Sequence, residues 1–241
     1  RIFYENRLAK LELKPEERPK IDPNFEEITE GQEQEFKEKL KTKWSTLEKV
    51  VGSPKRIKRI AKDLVNHFEQ RISILEGKGM IVCMSRRICV EIHNEIIKLK
   101  PEWHNKDDKK GILKVIMTGS ASDKVEWQQH IRNKAKRREL GEVFKDTSSE
   151  FKLVIVRDMW LTGFDAPSLH SMYLDKPMRG HTLMQAIARV NRVFKEKDGG
   201  LIVDYIGIAP DLKKALAEYT ESGGKGKPSF EQEEAVNLML E

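Results

Sequence analysis

The chain has 241 residues, 38% of them hydrophobic and 35% charged, with 45 Lys and Arg against 39 Asp and Glu for a formal net charge of +6. That length admits one large α/β domain, or one domain with a substantial appendage. Two cysteines exclude a disulfide scaffold, and no apolar run approaches the roughly 20 residues of a membrane-spanning helix.

The start, RIFYENRLAK, has neither an apolar signal core nor a Met, as expected of a segment of a longer polypeptide. Residues 1–30 carry Pro15, Pro19 and Pro23 and read as an extended linker over a surface, although FYENRLAKLEL can also form a strand. Thr29 and Gln32 stand at capping-box spacing and open a helical stretch that Gly52 ends. Ser53-Pro54 then restarts a helix, with Ser as N-cap and Pro in the first turn. Its apolar stripe is Ile57, Ile60, Ala61, Leu64, Val65, Phe68, Ile72 and Leu75, and Gly77 and Gly79 stop it.

From residue 80 short apolar runs alternate with helical patterns. MIVCM (80–84) precedes the helix SRRICVEIHNEIIKLK, which ends before Pro101. ILKVIM (112–117) precedes TGSASD, expected to cap a helix that carries Trp127, Ile131 and the basic run RNKAKRR (132–138). FKLVIV (151–156), HSMYL (170–174) and GLIVDYI (200–206) are further strands, with HTLMQAIARVNR (181–192) helical between the last two. Continuous apolar runs separated by helices predict a parallel sheet covered on both faces. A Gly/Lys linker, TESGGKGKPSF, leads into a last short helical segment.

Ligands of open α/β sheets sit at the carboxyl ends of the strands. Those ends carry Ser85-Arg86, Thr118-Gly119-Ser120, Thr162-Gly163-Phe164-Asp165 and the loop Lys176–Gly180, a rim of small, hydroxylated and charged groups suited to phosphate. Ser85 and Arg86 read either as a plain N-cap with a surface arginine or as a phosphate contact at a helix N-terminus. Thr118 and Ser120 have the same two readings, because Ser122 or Asp123 must also cap a helix. Gly163 permits close backbone approach, and Asp165 can accept from sugar hydroxyls or orient an arginine; a turn closed by Pro167 is the plainer alternative.

HTLMQAIARVNR is the most specific stretch. Gln185, Arg189 and Arg192 follow spacings of four and three, so a helix presents them together, opposite an apolar face of Leu183, Ala186, Ile187 and Val190. A Thr182/Gln185 capping box explains the glutamine but not two arginines on one face, which call for neutralising anions. GGKGKPS (223–229) lacks the glycine spacing and the Ser or Thr of a phosphate-binding loop, and the chain has no Asp-Glu dipeptide to hold magnesium and a water. A complete nucleotide hydrolase is therefore not expected. Scattered Glu-x-Lys triplets are what so charged a chain produces by chance, and the six histidines and two cysteines have no ligand spacing, so no metal site and a reducing cytoplasm are expected.

SRRICVEIHN after MIVCM resembles helicase motif IV, VIVRDMWLTGFDAPSLHSMYLDKPM resembles motif V, and HTLMQAIARVNR resembles motif VI of superfamily 2. YENRLAKLEL, the helices of Lys43–Glu69, VIMTGSASD and QAIARVNRVF narrow the resemblance to the R (motor and restriction) subunit of type I restriction–modification enzymes. Ala188 and Asn191 stand where many superfamily 2 motors have glycines, and Arg157-Asp158 replaces the usual Thr-containing start of motif V.

The resemblance implies an α/β, RecA-like parallel sheet flanked by helices, the second lobe of a two-lobe motor. Residues 1–30 would be the linker from a first lobe, 31–76 a helical segment packed on the second lobe, 77–221 that lobe, and 222–241 a linker into a C-terminal helical region. Arg189 and Arg192 would be arginine fingers on ATP, with Gln185 orienting them or sensing nucleotide, and Gly163 and Asp165 lining the same cleft. Ser85, Arg86, Thr118, Gly119 and Thr162 would grip double-stranded DNA. ATP and Mg would be held mainly by the first lobe, and a nuclease domain, a methyltransferase and a specificity subunit would complete the enzyme, leaving this segment inactive alone. Another superfamily 2 helicase or remodeller without nuclease, or a non-enzymatic DNA-binding domain, are the alternatives.

Overall fold

The structure is a computed structural model that describes residues 2–14, 34–120, 123–192, 194, 195, 197 and 199–221. The Thr29/Gln32 cap and the Gly/Lys tail lie outside the described residues.

One sheet organises the chain. Its strands are β1 (Ile2–Asn6), β2 (Lys78–Cys83), β3 (Leu113–Ile116), β4 (Leu153–Val156), β5 (Leu169–Asp175) and β6 (Gly200–Asp204). All pair parallel in the order β1-β6-β5-β2-β4-β3. From β2 to β6 every strand residue is buried, as the continuous apolar runs require when helices cover both faces. The helices are α1 (Gln34–Val51), α2 (Pro54–Ile74), α3 (Arg86–Leu99), α4 (Lys134–Lys145), α5 (Gly180–Val190) and α6 (Ala209–Glu221). This is the α/β, RecA-like architecture expected.

Two local expectations are corrected. Residues 1–30 are not linker throughout: Ile2–Asn6 joins the sheet as its edge strand, in register from Ile2 on Gly200 to Asn6 on Asp204. Behind it Leu11 and Leu13 enter the core. Ser53 occupies the N-cap of α2 and Pro54 its first turn, as expected, although the serine makes no side-chain cap bond. The basic run does not continue a helix from TGSASD. Val125–His130 is a 3-10 turn, Ile131 bridges to Met117 at the sheet edge, and α4 begins anew with the Asn133 side chain accepting from the Lys136 amide.

α2 packs on the lobe through Ile60, Ala61, Leu64 and Phe68, each fully buried. Its Arg56 is also fully buried and donates to the Asp175 carboxylate at 2.6 Å and to the Val51 and Tyr205 carbonyls at 2.9 and 2.8 Å. At the sheet's centre, β2 leads by α3 toward one edge and β5 leads by α5 toward the other. Adjacent strands whose connections diverge leave a crevice at their carboxyl ends, and the candidate site lies on that rim.

Candidate functional site

Two groups of side chains form on the carboxyl rim. The first joins the β4–β5 loop to the end of α5. Val156 ends a buried strand, and the chain then makes a tight loop in which Trp160 takes φ 68° and Gly163 φ 66°. For glycine that left-handed conformation is unstrained, whereas for tryptophan it is held by packing. Trp160 stacks on Phe164 at 4.3 Å and 13°, and Phe144 of α4 lies 5.5 Å from the Trp160 ring. These aromatics pin the loop from below and leave Thr162, Gly163 and Asp165 exposed.

α5 comes down against this loop. Leu183, Ala186, Ile187 and Val190 are buried, as the helical period predicts. Arg189 donates from Nε to the Leu161 carbonyl at 2.9 Å. Arg192 Nε lies 3.4 Å from Asp165 Oδ1, with both side chains about half exposed at 50% and 56%. Both arginines therefore meet the same loop, next to Gly163. The spacing argument holds only in part, because α5 ends at Val190 and Arg192 lies beyond its Asn191 C-cap. Gln185 is no capping-box partner of Thr182: the N-cap position is Arg179, and the Gln185 amide meets His181 Nε2 at 2.6 Å. The structure thus unites Arg189, Arg192, Gly163 and Asp165, with Gln185 one helical turn from Arg189.

The second group joins the N-terminus of α3 to the end of β3. The Ser85 hydroxyl accepts from the Ile88 amide at 3.2 Å and donates to Glu48 of α1 at 2.8 Å. Arg86 donates to the Thr118 carbonyl at 2.9 Å and to the Asp123 carboxylate at 2.6 Å, and its guanidinium lies 5.5 Å from the Trp127 ring centroid. Asp123 also accepts from the Ser120 amide at 2.5 Å, so its carboxylate shapes the loop and caps no helix. Thr118, Gly119 and Ser120 are exposed. Ser85, Arg86, Thr118 and Gly119 are thereby neighbours, while Thr162 sits with the arginine group on the other loop. Lys176 at the end of β5 reaches across β2 to Asp158 at the end of β4 in an ion pair that spans the crevice.

Sequence reasoning does not single out Leu161, Trp160, Trp127 or Glu48, whose roles depend on partners distant in the chain, and it suggests Asp123 only as a cap. Among the described residues no group of three or more His, Cys, Asp or Glu is arranged to hold a metal ion. None of the described helices is long and apolar enough to cross a membrane.

The sheet is a RecA-like lobe whose rim carries an arginine-bearing helix beside a glycine-containing strand loop. Residues 101–207 match the family model described as type I restriction enzyme subunit R domain 3. The chain is 54% identical over 183 residues, 75% of its length, to the type I restriction enzyme HindI endonuclease subunit of Haemophilus influenzae. It is 44% identical over 227 residues, 93% of its length, to the putative type I restriction enzyme MjaIXP endonuclease subunit of Methanocaldococcus jannaschii. These matches place the chain in the R-subunit family of type I restriction enzymes, with residues 101–207 in its domain 3. The chain spans about a fifth of these relatives' length, 17% of the first and 21% of the second.

Proposed function

We propose that this lobe is the second half of an ATP-dependent double-stranded DNA translocase within a type I restriction R subunit. The observation that carries the reading is the convergence of Arg189 and Arg192 on the Leu161–Asp165 loop. Two guanidiniums on one rim, one resting on a carbonyl and one on a half-exposed carboxylate, hold positive charge that a triphosphate can take up in exchange.

The chemistry follows from that exchange. A first lobe, elsewhere in the subunit, binds ATP with Mg and activates water. When the lobes close, Arg189 and Arg192 stabilise the charge that spreads over the transferring phosphoryl oxygens, a contribution worth about 10³–10⁵ in rate for an arginine finger. Mg would be held by the first lobe, while the basic half of the site falls to this one. Gly163 lets the nucleotide approach the loop backbone, and Asp165 and Gln185 orient the arginines. The exposed strand end Thr118–Gly119, with Thr162, holds a phosphate strand of DNA, and closure and opening of the cleft move that grip along the duplex. The nuclease, methyltransferase and specificity functions belong to other domains and subunits, and this lobe alone turns over no ATP.

The test is DNA-stimulated ATP hydrolysis by the full subunit, comparing Arg189→Ala and Arg192→Ala with the parent, alongside nucleotide binding. Turnover lower by orders of magnitude with ATP binding retained is the expected result. Turnover within a few-fold of the parent overturns the finger assignment. ATP hydrolysis that DNA does not stimulate overturns the translocase reading itself.

A further inference from the structure

We infer that Arg86 is a positioning residue rather than a DNA ligand: with Asp123 and Trp127 it latches the strand end Thr118–Ser120 in the shape that receives a DNA phosphate. The inference rests on the translocase reading above and changes what its rim residues do.

Arg86 opens α3 at the end of β2, where the sequence pattern suggests a phosphate contact. Its guanidinium is already engaged. One nitrogen donates both to the Thr118 carbonyl at 2.9 Å and to Asp123 at 2.6 Å. The aromatic face of Trp127 lies 5.5 Å from its central carbon. Arg86 keeps 27% of its side chain exposed, but the Asp123 side chain is only 3% exposed. Drawing the guanidinium out to a phosphate would therefore strand a carboxylate that has little access to water, a costly state for a buried charge. A charge-assisted bond of this kind is also about twice as strong as a neutral one.

Asp123 serves both sides of the latch. Besides Arg86 it accepts from the Ser120 amide at 2.5 Å. The same carboxylate therefore fixes the loop after β3 and the guanidinium that holds the carbonyl of Thr118. From the opposite side Ile131 presses on Gly119, where a Cβ would meet its Cγ2 at 2.5 Å. Ser85 belongs to this framework as well, since its hydroxyl both accepts from Ile88 and donates to Glu48. What the latch leaves facing outward is Thr118, Gly119 and Ser120, all exposed. A strand end preset in this way loses less conformational entropy when it meets a phosphate.

Salt dependence separates a latch from a ligand. Neutralising one phosphate contributes about 0.9 to the slope of log K against log salt for duplex DNA. Arg86 is already neutralised by Asp123 and contributes nothing to that slope.

The experiment is duplex binding by the full subunit, followed by fluorescence anisotropy over a range of salt concentrations, for Arg86→Ala, Asp123→Ala and the double variant. Thermal unfolding of each variant accompanies the titrations. The latch predicts that both single variants weaken binding several-fold, that the double variant is no weaker than either, and that all slopes equal the parent's. Arg86→Lys, which restores the charge pair with Asp123, recovers part of the loss. A slope lowered by about one in Arg86→Ala overturns the inference, and so does tighter binding by Asp123→Ala, which would mean that a ligand had been released. If the alanine variants do not fold, Asp123→Asn, which keeps the acceptor for Ser120 and removes the charge, is read by the same two criteria. A parent subunit that binds no duplex overturns the translocase reading, and this inference with it.

Discussion

Arg192 Nε stands 3.4 Å from the Asp165 carboxylate, with both side chains about half in solvent. Exposed pairs of this kind contribute about 0–1 kcal/mol, so Asp165 adds little to the fold and, in the proposed motor, can release Arg192 to a triphosphate. Asp165→Ala is accordingly expected to leave the unfolding temperature of the full subunit within a few degrees of the parent. ATP turnover should nevertheless fall several-fold, because the guanidinium is no longer presented from the loop. Calorimetry paired with steady-state hydrolysis checks this. A large loss of stability with unchanged turnover would make the pair structural.

Arg56 and Asp175 form the opposite kind of pair, with neither side chain exposed. Burial raises the Asp175 carboxyl pKa, and the neighbouring Arg56 opposes that rise. Arg56 also donates to Val51 and Tyr205, tying the start of α2 to the end of α1 and to the residue after β6. Removing one partner of a buried pair costs about 3–5 kcal/mol, whereas an apolar pair of similar volume is often tolerated. Urea unfolding should show Arg56→Ala severely destabilised and Arg56→Met with Asp175→Leu closer to the parent. Equal destabilisation of the two would mean that the carbonyl bonds outweigh the ion pair.

These two pairs show what the sequence discloses and what it withholds. The strands β2 to β6 are legible because burial on both faces demands unbroken apolar runs. β1 is legible only as one of two readings, because IFYEN is a short edge strand in a proline-punctuated context and its partner lies at the far end of the chain. The start of α4 is hidden although Asn133 is a good N-cap residue, because the basic run extends across it. Arg189, Arg192 and Gly163 stand out in sequence because a buried helix and a strand loop rarely carry such groups without a use. The partners Leu161, Glu48 and Trp127 do not, since their contacts cross the sheet rim between segments far apart in the chain. Arg86 looks alike in sequence whether it binds phosphate or Asp123.

Acid should weaken the lobe before its carboxylates titrate. His93, His104 and His130 cluster beside β3, with ring centroids 5.5 and 4.6 Å apart around His93. Burial first, then the neighbouring His104, Lys114 and Arg132, bring the His93 pKa down to about 4, and burial first, then His93, Arg132 and His104, bring that of His130 down to about 3. Both lie below the ordinary histidine value, so as pH falls the unfolded chain takes up protons first and the folded state loses stability. The loss begins near pH 6.5 and continues to about pH 4 for His93 and about pH 3 for His130, amounting to roughly 1–2 kcal/mol per histidine by pH 5. Glu5, held at about 2 first by its hydrogen bond to His67, adds its loss at lower pH. Urea midpoints at pH 7.5 and 5 should differ in the parent and differ less in His93→Gln with His130→Gln, the remainder coming from His170, which burial lowers to about 4. A difference unchanged in that variant would place the acid sensitivity elsewhere.

Two glycines on the rim should respond differently to alanine. Gly163 has φ 66° and open space where a Cβ would stand, so nothing is pushed aside. Alanine there carries only the penalty of a left-handed residue, roughly 1–2 kcal/mol, and Asn, which tolerates that conformation, carries less. Gly119 is the reverse case, because a Cβ would stand 2.5 Å from Ile131 Cγ2. Ile131 is held by its bridge to Met117, and the neighbouring Arg132 is anchored to Asp108 by two hydrogen bonds at 2.8 and 2.5 Å. The strand end must therefore move instead, shifting Thr118 and Ser120 away from the shape that Asp123 and Arg86 impose. Gly119→Ala should weaken duplex binding by the full subunit several-fold at little cost in stability. Ile131→Ala, which removes the obstructing methyl, should restore binding in the double variant. Absence of that rescue, with both proteins folded, would show that alanine at 119 blocks the DNA directly rather than displacing the loop.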